Sequence, residues 1–257
     1  MAVQIKNVLF GDGKPKICVP LTESSNEALI QQAEQASQSP AEVVEWRVDL
    51  FQAVDSSEAV LETLSHLRTA LKGKLLLFTF RSSAEGGNHE LSLKNYQKLY
   101  ETVAESGLVD IMDIELARAE FLGRQFVQKI KDHAALIMSS HDFEKTPADG
   151  ILVMKIGMMD QFGADIGKIA VMPQSSQDVL RLMGLAVKVH AFGSLPLALI
   201  SMGDQGKISR ISGALMDSVL TFGALEKGSA PGQLPVEKLA EILNWMTIET
   251  TGSEQNG

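Results

Sequence analysis

The chain is predicted to fold as a (β/α)₈ TIM barrel, α/β in class, with a short β-hairpin at its N-terminus. Three observations carry that expectation. Short apolar runs alternate with amphipathic helical runs almost from end to end. Eight such pairs within roughly 250 residues is the count and length of a TIM barrel. Polar side chains in several of the strand runs also fall on one parity, as they must if one face of each strand lines a common interior. Alternation by itself would suit an open doubly wound sheet as well, so the shared polar face is what favours the closed ring.

The first residues, VQIKNVLFGDGKP, read as two short strands around a turn that close one end of the barrel. Strand runs follow at KICVPL (16–21), EVVEWRVDL (42–50), KLLLFTF (74–80), VDIMDIEL (109–116), ALIMSS (135–140), GKIAVM (167–172), LPLALISM (195–202) and SVLTFGA (218–224). Helical stretches over 24–38, 57–72, 92–106, 118–132, 147–162, 176–191 and 208–217 separate them. A last helix near 235–247 opens at Pro235, whose fixed φ suits a first turn. No Pro- or Ser-rich linker divides the chain, so residues 1–249 read as one catalytic domain. The end, TTGSEQNG (250–257), reads as a disordered polar tail.

Composition narrows the class of function. Hydrophobic residues make up 45% and charged residues 21% of the 257, an ordinary globular balance. A net charge of −9 argues against a general nucleic-acid or anionic-membrane binder. The single cysteine, Cys18, has no internal disulfide partner and fits a reducing compartment. No run is long enough to span a bilayer, and the N-terminus lacks a signal-peptide layout, so a cytoplasmic location is expected.

The residue that says most is Lys168, in the otherwise apolar run DIGKIAVM. Alternation puts Lys168, Ala170 and Met172 on one face and Ile169 and Val171 on the other. An unpaired buried ammonium tends to lose its proton, and a neutral amine attacks carbonyl carbon, which makes Lys168 a Schiff-base candidate. The same parity collects Glu45, Arg47 and Asp49; Thr79 and Arg81; Asp113 and Glu115; and Ser139 and His141. These groups gather toward the C-terminal strand ends, where barrel active sites are built. An internal salt-bridge network would also satisfy them without catalysis.

His141 alone among the histidines stands at a strand end with inward parity, whereas His66, His89, His133 and His190 fall in helices or loops. Lys168 and His141 therefore form a nucleophile and acid/base pair. The run FRSSAEGGN adds Arg81 and Glu85 across a loop, and ISMGDQGKISR places a glycine-rich loop, 203–206, before Arg210. The glycines of that loop make a mobile lid a reasonable hypothesis, although the sequence does not say whether it closes over a ligand, and Arg210 would suit a carboxylate or phosphate. GADIGKI lacks the P-loop spacing, SSHD cannot be a triad on one strand, and no zinc-ligand spacing or G-x-G-x-x-G opening a helix occurs.

Taken together, EWRVDLF, LLLFTFRSSAEGG, SGLVDIMDIEL, IMSSHDFEKTP, GADIGKIAVMP, ISMGDQGKISR and TFGALEKGSAPGQL resemble the type I 3-dehydroquinate dehydratases, in family order and spacing. The resemblance runs from about Lys16 to Leu243, with small departures at Ser140 and Gly167. It implies a barrel without metal or cofactor, commonly a homodimer, that dehydrates 3-dehydroquinate to 3-dehydroshikimate in the shikimate pathway of aromatic amino-acid biosynthesis. It also implies that Lys168 forms an imine with the ring ketone, that His141 is the general acid/base, and that Glu85 sets the state of that histidine. Glu45, Arg47 and Arg81 match positions that hold the substrate's hydroxyl face. Arg210, Ser229 and Gln233 match those around its carboxylate, with Met202 and Phe222 as apolar wall. Two other readings of the same residues are a class I aldolase or transaldolase and a non-catalytic carboxylate-binding barrel.

Overall fold

Alternation along the strands sorts their side chains into two apolar layers, and the computed structural model describes both. The described residues are 2–246 apart from 192, 194 and 227, with the His190 side chain also outside them. The expected tail, 250–257, lies outside the described residues. In chain order the elements are β1 (Val3–Ile5), β2 (Val8–Phe10), β3 (Lys16–Leu21), α1 (Asn26–Gln38), β4 (Val43–Arg47), α2 (Ser57–Ala70) and β5 (Leu75–Thr79). Then come α3 (Leu93–Ser106), β6 (Ile111–Glu115), α4 (Leu116–Lys131), β7 (Ala135–Asp142), α5 (Asp149–Gln161), β8 (Ile166–Val171) and α6 (Ser176–His190). The chain finishes through β9 (Leu197–Ser201), α7 (Gly203–Ile211), α8 (Gly213–Met216), β10 (Leu220–Ala224), β11 (Leu234–Pro235) and α9 (Val236–Trp245).

Strands β3 to β9 pair in sequence, all parallel, and β10 pairs with β3. The ring closes between β9 and β10 through a bridge of Leu197 with Ser218, where Val219 N–H donates to Leu197 O at 2.8 Å. Outward residues such as Val44, Trp46, Phe78, Met112, Ile114 and Met138 pack under the helices. Inward residues Val43, Leu75, Leu77, Ile111, Ile137 and Ile166 fill the barrel floor together with Ile5 and Phe10 of the hairpin. The hairpin thus stoppers the N-terminal end and leaves the other end for polar groups. Four helices start at serines whose hydroxyls accept an amide N–H of the first turn: Ser25, Ser56, Ser92 and Ser175. Each such cap is worth about 1 kcal/mol.

Three expectations change. The run 42–50 is a strand only to Arg47, after which Val48–Leu50 turn into a 3-10 helix that tucks Asp49 back against Arg47. The expected glycine-rich loop 203–206 is the first turn of α7, and the helix placed at 208–217 splits at Ser212 into α7 and α8. The reason is close packing: a Cβ on Gly206 would lie 2.2 Å from Ser201 O, so the glycine lets α7 rest on the end of β9. Pro235 caps α9 from outside rather than opening it. Gly167 has a similar explanation, since a Cβ there would press Leu195 and Leu197 at 2.9 Å.

Candidate active site

A cavity of about 480 Å³, counting its open mouth, lies at the C-terminal ends of the strands. Lys168, His141, Glu85, Glu45, Arg47, Arg81, Met202, Arg210, Phe222, Ser229 and Gln233 all line it, so every predicted site residue meets in one place. Each arrives from a different local device. Glu45 and Lys168 come from strand parity, His141 from the end of β7, and Glu85 from a short 3-10 turn, Ser83–Glu85. Arg210 comes from α7, and Ser229 and Gln233 from the segment between β10 and β11.

Lys168 is 4% exposed and is not the lone ammonium that its strand suggested. Its Nζ stands 3.3 Å from Asp113 Oδ2 and 3.6 Å from Glu45 Oε1, and 4.4 Å from the centre of the Phe222 ring. The partners come from β6 and β4, far away in sequence, which is why strand pattern could not reveal them.

Beside the lysine, Glu85 Oε2 lies 2.8 Å from His141 Nδ1 and also accepts the main-chain N–H of His141 at 3.0 Å. That fixes the ring and leaves Nε2 for the cavity. Burial pushes Glu85 up to about 8, against the opposing pull of Arg81. His141 is held well below the usual imidazole range, by burial first and then by Arg81, Lys168, Arg47 and Lys155. The pair resists carrying both charges in dry surroundings and exchanges protons as a unit. With Glu85 anionic, Nδ1–H donates to its carboxylate and Nε2 is left as a base; with one proton more in the pair, Nε2–H is an acid.

Beneath these groups runs a buried network. Arg81 reaches Asp113 at 3.0 Å, Glu115 at 3.0 Å and Glu85 at 3.6 Å, and donates to Ser139 Oγ at 2.9 Å. Although burial opposes its charge, Asp113, Glu115, Glu85 and Glu45 hold Arg81 well above the ordinary range, firmly cationic. Arg47 makes a two-pronged contact with Asp49, at 2.8 and 2.9 Å. Arg210 differs. It is 1% exposed, its Nε has no hydrogen-bond partner, and its one side-chain bond goes to Pro231 O at 2.9 Å. Burial pulls it down to about 10, and no carboxylate among the described residues pairs with it. Ser229 and Gln233 bond to one another nearby, Ser229 N–H donating to Gln233 Oε1 at 2.9 Å.

Sequence reasoning missed Phe143 and Gly86 on the cavity wall, where a Cβ on Gly86 would strike the Phe143 ring at 2.5 Å. Ile200 and Ala230 also went unseen as lining. Ile200 shares the inward parity of β9, a signal that an apolar side chain hides among other apolar ones. No group of three or more His, Cys, Asp or Glu among the described residues is set to hold a metal ion.

A closed parallel barrel with a buried lysine and a carboxylate-backed imidazole at its carboxyl end has the parts of an imine-forming barrel enzyme. Comparison with known proteins narrows the class. The family model of type I 3-dehydroquinase matches residues 17–250, and the chain belongs to that family. It is 43% identical over 247 residues to a 3-dehydroquinate dehydratase of Klebsiella pneumoniae, covering 95% of this chain and 98% of that one. A crystal structure of the type I enzyme from Clostridium difficile, with covalently modified comenic acid, superposes with a TM-score of 0.89 at 38% identity, covering 96% of this chain and 98% of that one. The 3-dehydroquinate dehydratase of Geobacillus kaustophilus gives 0.93 at 32% identity, with 97% and 98% covered.

Proposed function

We propose that this chain dehydrates 3-dehydroquinate to 3-dehydroshikimate, a hydro-lyase step of the shikimate pathway, through an imine on Lys168. One observation carries the reading: a buried amine stands beside an acid/base pair in a cavity that also holds Arg210, a cation with no carboxylate partner among the described residues. Arg210 binds the substrate carboxylate and orients the ring, so that the ketone faces Nζ. Glu45, Arg47 and Arg81 hold the hydroxyl face, Ser229 and Gln233 flank the carboxylate, and Met202 and Phe222 exclude water.

His141 Nε2 takes a proton from the Lys168 ammonium, and the freed nitrogen pair attacks the ketone carbon to make a carbinolamine. The same imidazole then returns that proton to the carbinolamine hydroxyl, which leaves as water and yields the iminium. The iminium withdraws electrons from the neighbouring carbon, and His141 Nε2 removes a proton there, leaving an enamine. The enamine then expels the β-hydroxyl, which leaves as water with the proton returned by His141. Water hydrolyses the iminium, restoring Lys168 and releasing the conjugated enone. Proton transfers of this kind contribute about 10²–10⁴ in rate. The covalently modified ligand on the Clostridium difficile relative supports covalent chemistry in this family. Ultraviolet absorbance of the enone growing in the presence of 3-dehydroquinate is the expected result; no absorbance change overturns the proposal.

We further propose a cytoplasmic homodimer. No helix among the described residues is long and apolar enough to cross a membrane. The α5 helix carries apolar residues on its outer as well as its inner face, with Leu152, Ile156 and Met159 buried and Ile151, Val153 and Met154 exposed. Such a helix favours a covering partner. Light scattering should give twice the mass of one chain; a single-chain mass rejects the dimer.

A further inference from the structure

We propose that Asp113 is the standing counter-ion of the Lys168 nitrogen, paired with its ammonium before substrate enters and with the iminium afterwards. The inference rests on Lys168 forming an imine.

Four features of the site support it. Asp113 is 0% exposed and does not line the cavity, so substrate cannot compete for it. Its two oxygens divide their work. Oδ1 accepts the Ser139 hydroxyl at 2.6 Å and faces Arg81 Nη2 at 3.0 Å, while Oδ2 is turned to Lys168 Nζ at 3.3 Å. Arg81 does not depend on Asp113 alone, because Glu115 lies 3.0 Å and Glu85 3.6 Å from it. Glu45 is the rival counter-ion, yet at 3.6 Å it is beyond hydrogen-bond range of Nζ. It accepts the Thr79 hydroxyl at 2.9 Å and faces the cavity, where substrate hydroxyls engage it.

The charged and titratable surroundings of this pair are Cys18 from β3, Glu45 and Arg47 from β4, and Arg81 and Glu85 after β5. Glu115 from β6, His141 from β7, Lys155 from α5 and the Tyr96 and Tyr100 hydroxyls from α3 are the others. Within that set burial favours a protonated Asp113, but Arg81, Lys168 and the Ser139 hydroxyl outweigh it and hold the carboxyl below its usual range. Asp113 is thus an unchanging anion rather than the proton acceptor for Lys168. An anion fixed beside the nitrogen favours the protonated imine, the form that withdraws electrons, and extends it toward alkaline pH.

The test compares wild type with Asp113→Asn, following kcat and borohydride-trapped adduct with 3-dehydroquinate from neutral to alkaline pH. An opposite charge at this range shifts a titration by about 1–3 pH units, so the alkaline limb of both curves should move down by that much. KM near neutral pH should hold, because the Arg210 end is untouched. A purely structural role would instead lower activity by the same factor at every pH. An alkaline limb that stays put or moves up overturns the proposal while the wild-type adduct still stands. Wild type that traps no adduct at any pH overturns the imine reading and this inference together. Should Asp113→Asn fail to fold, Asp113→Ser, which leaves room for water, is expected to shift the limb in the same direction and is judged by the same outcomes.

Discussion

At Lys168 two demands conflict: a strand interior that excludes water, and a nitrogen that must carry charge during part of the reaction. The protein meets both by lending the nitrogen carboxylates from β4 and β6, which sit on the same inward parity as the lysine itself. Strand parity made Glu45, Asp113 and Lys168 legible as one polar face. Their pairing was not legible, because which strands stand close inside a barrel depends on register. The same limit hid Phe143, whose contact with Gly86 joins two loops. Motif resemblance, rather than periodicity, pointed to Ser229 and Gln233, which sit on a segment with no regular pattern.

Two residue-level outcomes follow from the charges. Glu85 lies 2.8 Å from His141 Nδ1, so a proton taken up by the pair is shared between carboxyl and ring. In Glu85→Gln the buried ring must hold that proton alone among neighbouring cations, and the acid-side limb of kcat/KM should move to lower pH. A pH–rate profile with the limb unmoved would remove Glu85 from this role. Arg210→Ala should raise KM by on the order of 30-fold or more, the loss of about 2 kcal/mol expected for a buried charge-assisted contact, with kcat less affected. Steady-state kinetics with unchanged KM would place the carboxylate elsewhere.

Among elements, α7 is the one whose position the sequence misled. GDQG has the composition of a loop, and local propensity disfavours a helix start through two glycines. Packing decides otherwise, since Gly206 lets the helix lie against Ser201 and so aims Arg210 at the cavity. Gly206→Ala separates the two effects by sign. Propensity alone would stabilise the variant by about 1 kcal/mol, whereas a Cβ against backbone oxygen should destabilise it by about 1–3 kcal/mol. Urea denaturation should show the loss, with KM rising as Arg210 shifts.

Across the whole molecule, work is divided between the barrel's ends. The hairpin drives Ile5 and Phe10 into the floor, and the chemistry occupies the opposite mouth. Eight strands and most of their helices were readable because they carry their own apolar periods. Ring closure was expected from the number of strand–helix pairs and their shared polar face, but the seam that makes it, between β9 and β10, involves only a few residues and carries no pattern of its own. Phe10 is fully buried, so Phe10→Ala should cost about 3–5 kcal/mol in urea unfolding while the folded fraction keeps its kcat. A variant that lost kcat without losing stability would contradict the separation of floor and mouth.

The most direct test of the account is to incubate the protein with 3-dehydroquinate, reduce with borohydride, and map the adduct by peptide mass spectrometry. A single ligand-derived mass on Lys168, absent from Lys168→Ala, is the predicted result, with enone formed by the untreated wild type and none by the variant. An adduct on another lysine, or enone formed by Lys168→Ala at the wild-type rate, would contradict it.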